Sequence, residues 1–134
     1  MTLSPEFKRC TRCGEIKNET SFAKNQYRKN NVIVRRAYCK DCGKKIKPIP
    51  TKLRKIYEEK NSKPEMGVDF KCPICRITKT PWHKNQICLD HNHNTGEIRG
   101  WLCGDCNASM GRLGDNIETF ERVIKWLNGE IRNN

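Results

Sequence analysis

Apolar residues in this chain fall in short, separated runs, and each run reads as a small element. Between Cys13 and Cys39, Val32-Ile33-Val34 and Tyr38 have strand character. Pro48-Ile49-Pro50 interrupts regular structure, and Thr51 beyond it is placed to cap a short helix through Lys60, with Leu53, Ile56 and Tyr57 on one face. Asn61 to Pro64 and Gly67 end that helix. Gln86–His91 and Ile98–Leu102 read as two strands, joined by a turn over Asn92–Glu97 that contains Thr95-Gly96. The residues after Cys103 favour a helix to about Met110, broken at Gly111 and Gly114. The cleanest helix comes last. Asp115 or Asn116 caps it, Glu118 stands in its first turn, Ile117, Phe120, Ile124 and Leu127 form one stripe, and Gly129 ends it. Such a stripe is expected to pack on the second half of the chain or on a partner subunit.

Composition changes the picture. Leu, Ile, Val and Phe supply only about 19% of 134 residues, and the formal net charge is +12. A chain of this kind buries too little apolar surface to fold on a hydrocarbon core alone. Nine cysteines offer the alternative, because eight of them fall in four Cys-x-x-Cys pairs. No run of apolar residues approaches the roughly 18 needed for a membrane helix. Met1 to Glu6 lacks the basic and apolar regions of a signal peptide. The expected setting is intracellular, where thiols stay reduced and paired cysteines act as metal ligands. Cys88, the ninth, also leaves an odd count that suits a disulfide framework poorly.

The pairs divide the chain. Residues 1–47 form a basic module in which Cys10-Thr-Arg-Cys13-Gly14 and Cys39-Lys-Asp-Cys42-Gly43 read as two knuckles of one tetrahedral zinc site. Residues 48–69 read as a connector with a short helix. Residues 70–134 hold Cys72, Cys75, Cys103 and Cys106, a second zinc site, followed by the C-terminal helix. The two cysteine units share a spacing style but little else, so no true repeat is expected. Charge is lopsided: residues 1–64 carry +12 and residues 65–134 carry zero. A polyanion, above all nucleic acid, is the natural partner of such a half.

Chemistry-bearing residues gather in the last part. Leu89-Asp90-His91-Asn92-His93 ends the first predicted strand, and Asn107 directly follows the last paired cysteine. Zinc held by the four cysteines would draw that helix against the hairpin and bring Asp90, His91, His93 and Asn107 together. Adjacent strand residues point to opposite faces, so Asp90 and His91 converge only if the strand bends or ends there. A neutral imidazole can accept a proton from water near neutral pH. One hard cation held by a carboxylate and an amide oxygen can clamp a phosphoryl oxygen.

The order Cys-x-x-Cys, Leu-Asp-His-x-His, then Gly-x-x-Arg-Gly-x-Leu-Cys-x-x-Cys-Asn resembles the phage recombination endonuclease VII family, within the wider HNH or ββα-metal nucleases. The resemblance covers residues 72–114. It implies that Asp90 and Asn107 hold a catalytic Mg²⁺ (or Mn²⁺), that His91 is the general base, and that His93 lies near the scissile phosphate. It assigns Cys72, Cys75, Cys103 and Cys106 to structural zinc. Two departures stand out. Met110 occupies a position that is often acidic in the family's junction resolvases, and about 20 residues follow Gly114 where those enzymes carry a long helical region.

The expected molecule is thus a small α+β, zinc-stapled protein. It has an N-terminal four-cysteine module (Cys10, Cys13, Cys39, Cys42) and a C-terminal ββα-metal, or His-Me finger, nuclease domain. It would cleave DNA by metal-dependent hydrolysis, with two structural zinc ions and one catalytic Mg²⁺. Arg28, Arg35, Arg36 and Arg99, with Tyr27 and Tyr38, would supply grip on DNA. Trp101 is expected in the core, His83 at the surface, and Cys88 packed beside the strand. A homodimer is compatible with the sequence but not shown by it. The rival readings are a structure-selective, junction-resolving endonuclease and a non-catalytic DNA-binding zinc protein.

Overall fold

Sulfur takes the place that hydrocarbon occupies in larger domains. In this computed structural model, which describes residues 6–27 and 33–133, the fully buried large side chains are Phe22, Cys10, Cys39, Cys72 and Cys103. Two compact units result: residues 1–44 together with 110–134, and residues 45–109.

In the first unit, β1 (Phe7–Arg9) pairs antiparallel with β2 (Ile16–Asn18), and the turn between them carries Cys10 and Cys13. The amide of Cys10 donates to the carbonyl of Glu15, closing the knuckle. Gly14 follows the second cysteine at φ +76°, a conformation that favours glycine. A 3₁₀ turn, Glu19–Ser21, is capped by the Asn18 side chain, which accepts from the Thr20 amide. Phe22 then buries itself among Cys10, Cys39 and Cys42, with Tyr38 packed on the same cluster. β3 (Lys24–Tyr27) and β4 (Ile33–Arg35) form a second hairpin, which leads to α1 (Lys40–Lys44).

In the second unit, α2 (Thr51–Lys60) precedes a short hairpin of β5 (Phe70–Lys71) and β6 (Thr78–Lys79) around Cys72 and Cys75. A 3₁₀ turn over Lys84–Gln86 leads to the longest ladder, β7 (Ile87–His91) against β8 (Ile98–Cys103). α3 (Gly104–Arg112) starts directly from Cys103. Its N-terminus sits so close to the preceding turn that a Cβ on Gly104 would lie 2.5 Å from the Asn85 carbonyl oxygen.

The two units are built in the same order, contrary to the expectation of no repeat. Each runs knuckle hairpin, 3₁₀ turn, second hairpin, helix. In each, the first cysteine's amide bonds a carbonyl five residues on, Glu15 or Ile77. In each, the residue after the second cysteine has positive φ, Gly14 at +76° and Arg76 at +61°. Both helices begin one residue after the third cysteine, and the fourth cysteine's amide donates to the third's sulfur at 3.4 Å. The likeness lies in backbone hydrogen bonds and ligand spacing, whereas the intervening side chains differ, so residue-by-residue comparison misses it.

Other boundaries also shift. Cys39-Lys-Asp-Cys42-Gly43 is the start of α1 rather than a second knuckle, and Tyr38 lies outside the strands. Pro50, not Thr51, holds the N-cap position of α2, with no side-chain cap. α3 continues through Gly111 to Arg112, because a helix tolerates one glycine. Residues 48–69 belong to the second compact unit, and the last helix belongs to the first, a different grouping from the expected division at 47 and 69. That helix, α4 (Ile117–Leu127), is capped by Asn116, whose side chain accepts from the Thr119 amide at 2.8 Å. Its stripe is largely uncovered, with Ile117, Ile124 and Leu127 exposed.

Candidate active site

The sulfur clusters define the frame. Cys10, Cys13, Cys39 and Cys42 bring their Sγ atoms within 4.8 Å of one another, and so do Cys72, Cys75, Cys103 and Cys106. Close pairs are 3.8 Å apart for Cys10 and Cys42 and 4.0 Å for Cys75 and Cys103. A tetrahedron with Zn–S bonds of about 2.3 Å has edges of about 3.8 Å, so both clusters fit a zinc ion.

The electrostatics agree with that fit. Burial pushes the Cys10 thiol up, but amides of Cys13, Cys39 and Arg12 outweigh it and bring it to about 6. Burial is likewise outweighed at Cys72, by amides of Cys103, Cys75 and Ile74, again to about 6. Cys42 and Cys106 go the other way, to about 12, through burial and then through neighbouring sulfurs. Without a cation, four sulfurs this close cannot all ionise; a divalent ion removes the conflict. A lysine four residues after the second cysteine serves each cluster. Lys17 Nζ lies 3.4 Å from Cys39 Sγ and 3.5 Å from Asp41. Lys79 Nζ donates to Asp105 at 2.8 Å. Hydrogen bonds to Cys39 and to Asp105, respectively, raise both ammonium groups. These lysines offset part of the negative charge of a zinc tetrathiolate. Sequence reading did not single them out, although their matching spacing was there to see.

On this frame, the β7–β8 hairpin presents the chemical residues. Register shifts between Asp90 and His91: Asp90 pairs with Gly100, but His91 pairs with Ile98. The extra residue is Arg99 on β8, so the bend lies opposite Asp90 and His91 and not within β7 itself. Asp90 is 6% exposed, and Arg99 Nη1 lies 3.3 Å from its Oδ2. His91 Nε2 is 3.1 Å from the carbonyl oxygen of Lys47. The His91 and His93 rings lie 4.8 Å apart, centre to centre, and the Lys47 amide donates to the His93 carbonyl at 2.8 Å. Lys47, which sequence reading left in the basic module, thus belongs to the site through its backbone. Prolines at 48 and 50 were the available signal.

Asn107, one residue past Cys106 on α3, faces β7, where its side chain interacts with the thiol of Cys88. Cys88 and Asp90 alternate onto one strand face. The Cys88 thiol is pushed up by burial above all, and the Asp90 carboxylate contributes in the same direction. A carboxylate and an amide oxygen would together make a hard donor set, suited to Mg²⁺ or Mn²⁺ rather than zinc.

At the matched positions the first unit carries other residues. Counted from its 3₁₀ turn, Asn25 and Gln26 stand where the second unit has Asp90 and His91. Gly43 stands where it has Asn107, and a Cβ there would be 3.2 Å from the Tyr38 ring.

The expected DNA-binding residues fare unequally. Arg35 donates to the Phe22 carbonyl at 3.0 Å, bracing its own unit. Arg36 is exposed, with its guanidinium 6.0 Å from the Tyr38 ring centre. Arg99 reaches Asp90. Arg28 lies outside the described residues. Trp101 is half-buried and its indole donates to the Asn61 carbonyl at 2.9 Å. His83 is exposed and caps the Lys84–Gln86 turn. Among the described residues, no helix is long and apolar enough to cross a membrane.

The model of the recombination endonuclease VII family matches residues 49–129. Two gene 59 proteins are similar over 58 residues: that of Mycobacterium phage L5 is 40% identical and that of Mycobacterium phage D29 is 36% identical. In both cases, the match covers 42% of this chain and 34% of the relative, so it spans about a third of their length. Among solved structures, the ββα-Me type II restriction endonuclease Hpy99I superposes with a TM-score of 0.72 at 31% identity, covering 93% of this chain and 66% of that one.

Proposed function

The chain belongs to the recombination endonuclease VII family, and from that membership we propose that it is a metal-dependent DNA endonuclease that hydrolyses phosphodiester bonds, leaving 5′-phosphate and 3′-hydroxyl ends. The observation that carries this reading is the contact of His91 Nε2 with the Lys47 carbonyl. A carbonyl oxygen only accepts, so Nε2 carries the proton and Nδ1 of the neutral ring keeps its lone pair. Nδ1 takes a proton from the attacking water as its oxygen approaches phosphorus. His93, 4.8 Å away between ring centres, contributes a second imidazole beside the scissile phosphate. Asp90 and Asn107 would hold Mg²⁺ or Mn²⁺, which when bound stabilises the negative charge that develops on the phosphate and the leaving 3′ oxygen. Zinc at the two tetrathiolate sites is structural, since all four positions at each are sulfur.

DNA is the proposed substrate and partner. Arg36, stacked near Tyr38, and the basic surface supply affinity for its backbone. The kinship with phage proteins favours action inside a bacterial host cell. The test is supercoiled plasmid incubated with zinc-loaded protein and Mg²⁺, with EDTA as the control. Nicking or linearisation with Mg²⁺ alone supports the reading. Tight DNA binding without cleavage under any divalent metal would favour a non-catalytic zinc protein. Faster cleavage of a four-way junction than of linear duplex would make the enzyme structure-selective.

A further inference from the structure

Among the described residues, Asp90 is the buried charged side chain, at 6% exposure. A carboxylate withdrawn from water needs a cation beside it, or it strongly destabilises the fold. Here Arg99 supplies one, with Nη1 3.3 Å from Oδ2 and 39% of its side chain still exposed. The backbone is shaped for this contact. In an unbroken ladder in which Asp90 pairs with Gly100, Arg99 would pair with His91 and point to the face opposite Asp90. Instead His91 pairs with Ile98, which leaves Arg99 as the extra residue of a bulge. Gly100, at φ +143°, follows it in a conformation that side-chain-bearing residues rarely adopt. The bulge therefore turns a guanidinium onto the oxygen of the carboxylate assigned to the metal.

We propose that Arg99 is a resident counter-cation of Asp90, which competes with the catalytic metal for the same carboxylate and so sets the site's metal affinity. This inference rests on the assignment of Asp90 as a metal ligand. Without metal, the guanidinium keeps the buried carboxylate paired. When a divalent cation enters, it must displace or share that oxygen with a positive group, so binding is weaker than the donor set alone would give. Arg99 acts here as a positioning residue, through Asp90, and need not touch the reacting phosphate.

Mn²⁺ binding to the full-length, zinc-loaded protein without DNA, measured by calorimetry and by the electron paramagnetic resonance of free Mn²⁺, reads this directly. Arg99→Gln should bind Mn²⁺ about tenfold more tightly than wild type, the scale of removing one unit charge near a divalent ion in a partly solvated site. Arg99→Lys keeps the charge and should stay within about threefold of wild type. Should the Gln variant lose zinc or its circular dichroism, Arg99→Met, which preserves the packing of the stem, repeats the test. Unchanged or weaker Mn²⁺ binding in a folded, uncharged variant would overturn the proposal. Asp90→Ala separates the two levels. If it abolishes Mn²⁺ binding while Arg99→Gln leaves it unchanged, only the role of Arg99 fails. If Mn²⁺ binding survives Asp90→Ala, the metal assignment fails and this proposal fails with it.

Discussion

Asp90 and His91 are neighbours with opposite duties, and an unbroken strand would separate them by the thickness of the sheet. The register shift beside them places its extra residue, Arg99, on β8 and leaves β7 alternating, while the Lys47 carbonyl keeps Nε2 of His91 protonated, which would leave Nδ1 as the base. Replacing His91 with Ala should cut plasmid nicking by about 10²–10⁴-fold with zinc content and circular dichroism unchanged. Wild-type rates from an equally folded variant would leave the motif without a catalytic role. Asp90→Ala should weaken metal use more than Asn107→Ala, because it removes the charged ligand of the pair. The cysteines carry a pH prediction. The metal-free folded pKa of Cys10 and of Cys72 is depressed from 9.0 to about 6, so their contribution to stability is present above pH 9 and is lost as pH falls through about 6. Zinc binds the thiolate form of all four sulfurs, so zinc should be retained at neutral pH and released as acid protonates them. A chromophoric chelator followed against pH reads this; release that does not depend on pH would contradict the thiolate assignment.

The segment Lys47–Pro50 acts as a strap across the β7–β8 turn. A Cβ on Gly96 would sit 3.1 Å from the Pro48 carbonyl oxygen, and Gly96 has φ +79°. Gly96→Ala should therefore cost about 1–2 kcal/mol in backbone strain and push the strap off the turn. Because the strap carries the Lys47 carbonyl, activity should fall more than stability, with zinc retained; an activity loss no larger than that of an exposed control substitution would argue against the strap. Nothing in the hydrophobic pattern announces this strap. Elements that carry an apolar stripe or follow a turn signal were legible: the hairpin, α2, the helix after Cys103, and α4 with its Asn116 cap all lie close to where the pattern puts them. Three-residue strands such as Phe7–Arg9 and Ile16–Asn18 were not, because they frame a four-cysteine cluster and show no alternation of their own. Likewise Asp90, His91 and Asn107 were legible as residue types in a cysteine frame, whereas the Arg99 and Lys47 contacts arise from a bulge and a long-range backbone bond that no local pattern encodes.

Charge looks different once the compact units are known. Residues 1–64 hold the whole formal excess of +12, yet residues 45–64 within that span belong to the same unit as the β7–β8 hairpin. Counted by unit, the first carries +7 and the second +5. A zinc tetrathiolate at each cluster would subtract about two charges and leave both units positive. The positive charge is therefore shared between the units, and in the second much of it lies on and around α2, so both units should contribute to a grip on DNA. A polypeptide starting at residue 65 would lose that charge together with the Lys47 carbonyl and the Asn61 carbonyl that holds Trp101. One covering residues 45–112, which keeps α3 whole, should bind one zinc ion and still bind DNA. Affinity depends on the number of phosphates neutralised, so the logarithm of its binding constant should fall with the logarithm of salt, but less steeply than for the whole chain. Fluorescence anisotropy on a labelled duplex between about 50 and 200 mM salt compares the two slopes. Equal slopes would mean that the first unit neutralises no phosphate; no measurable binding by the fragment would return the grip to the first unit.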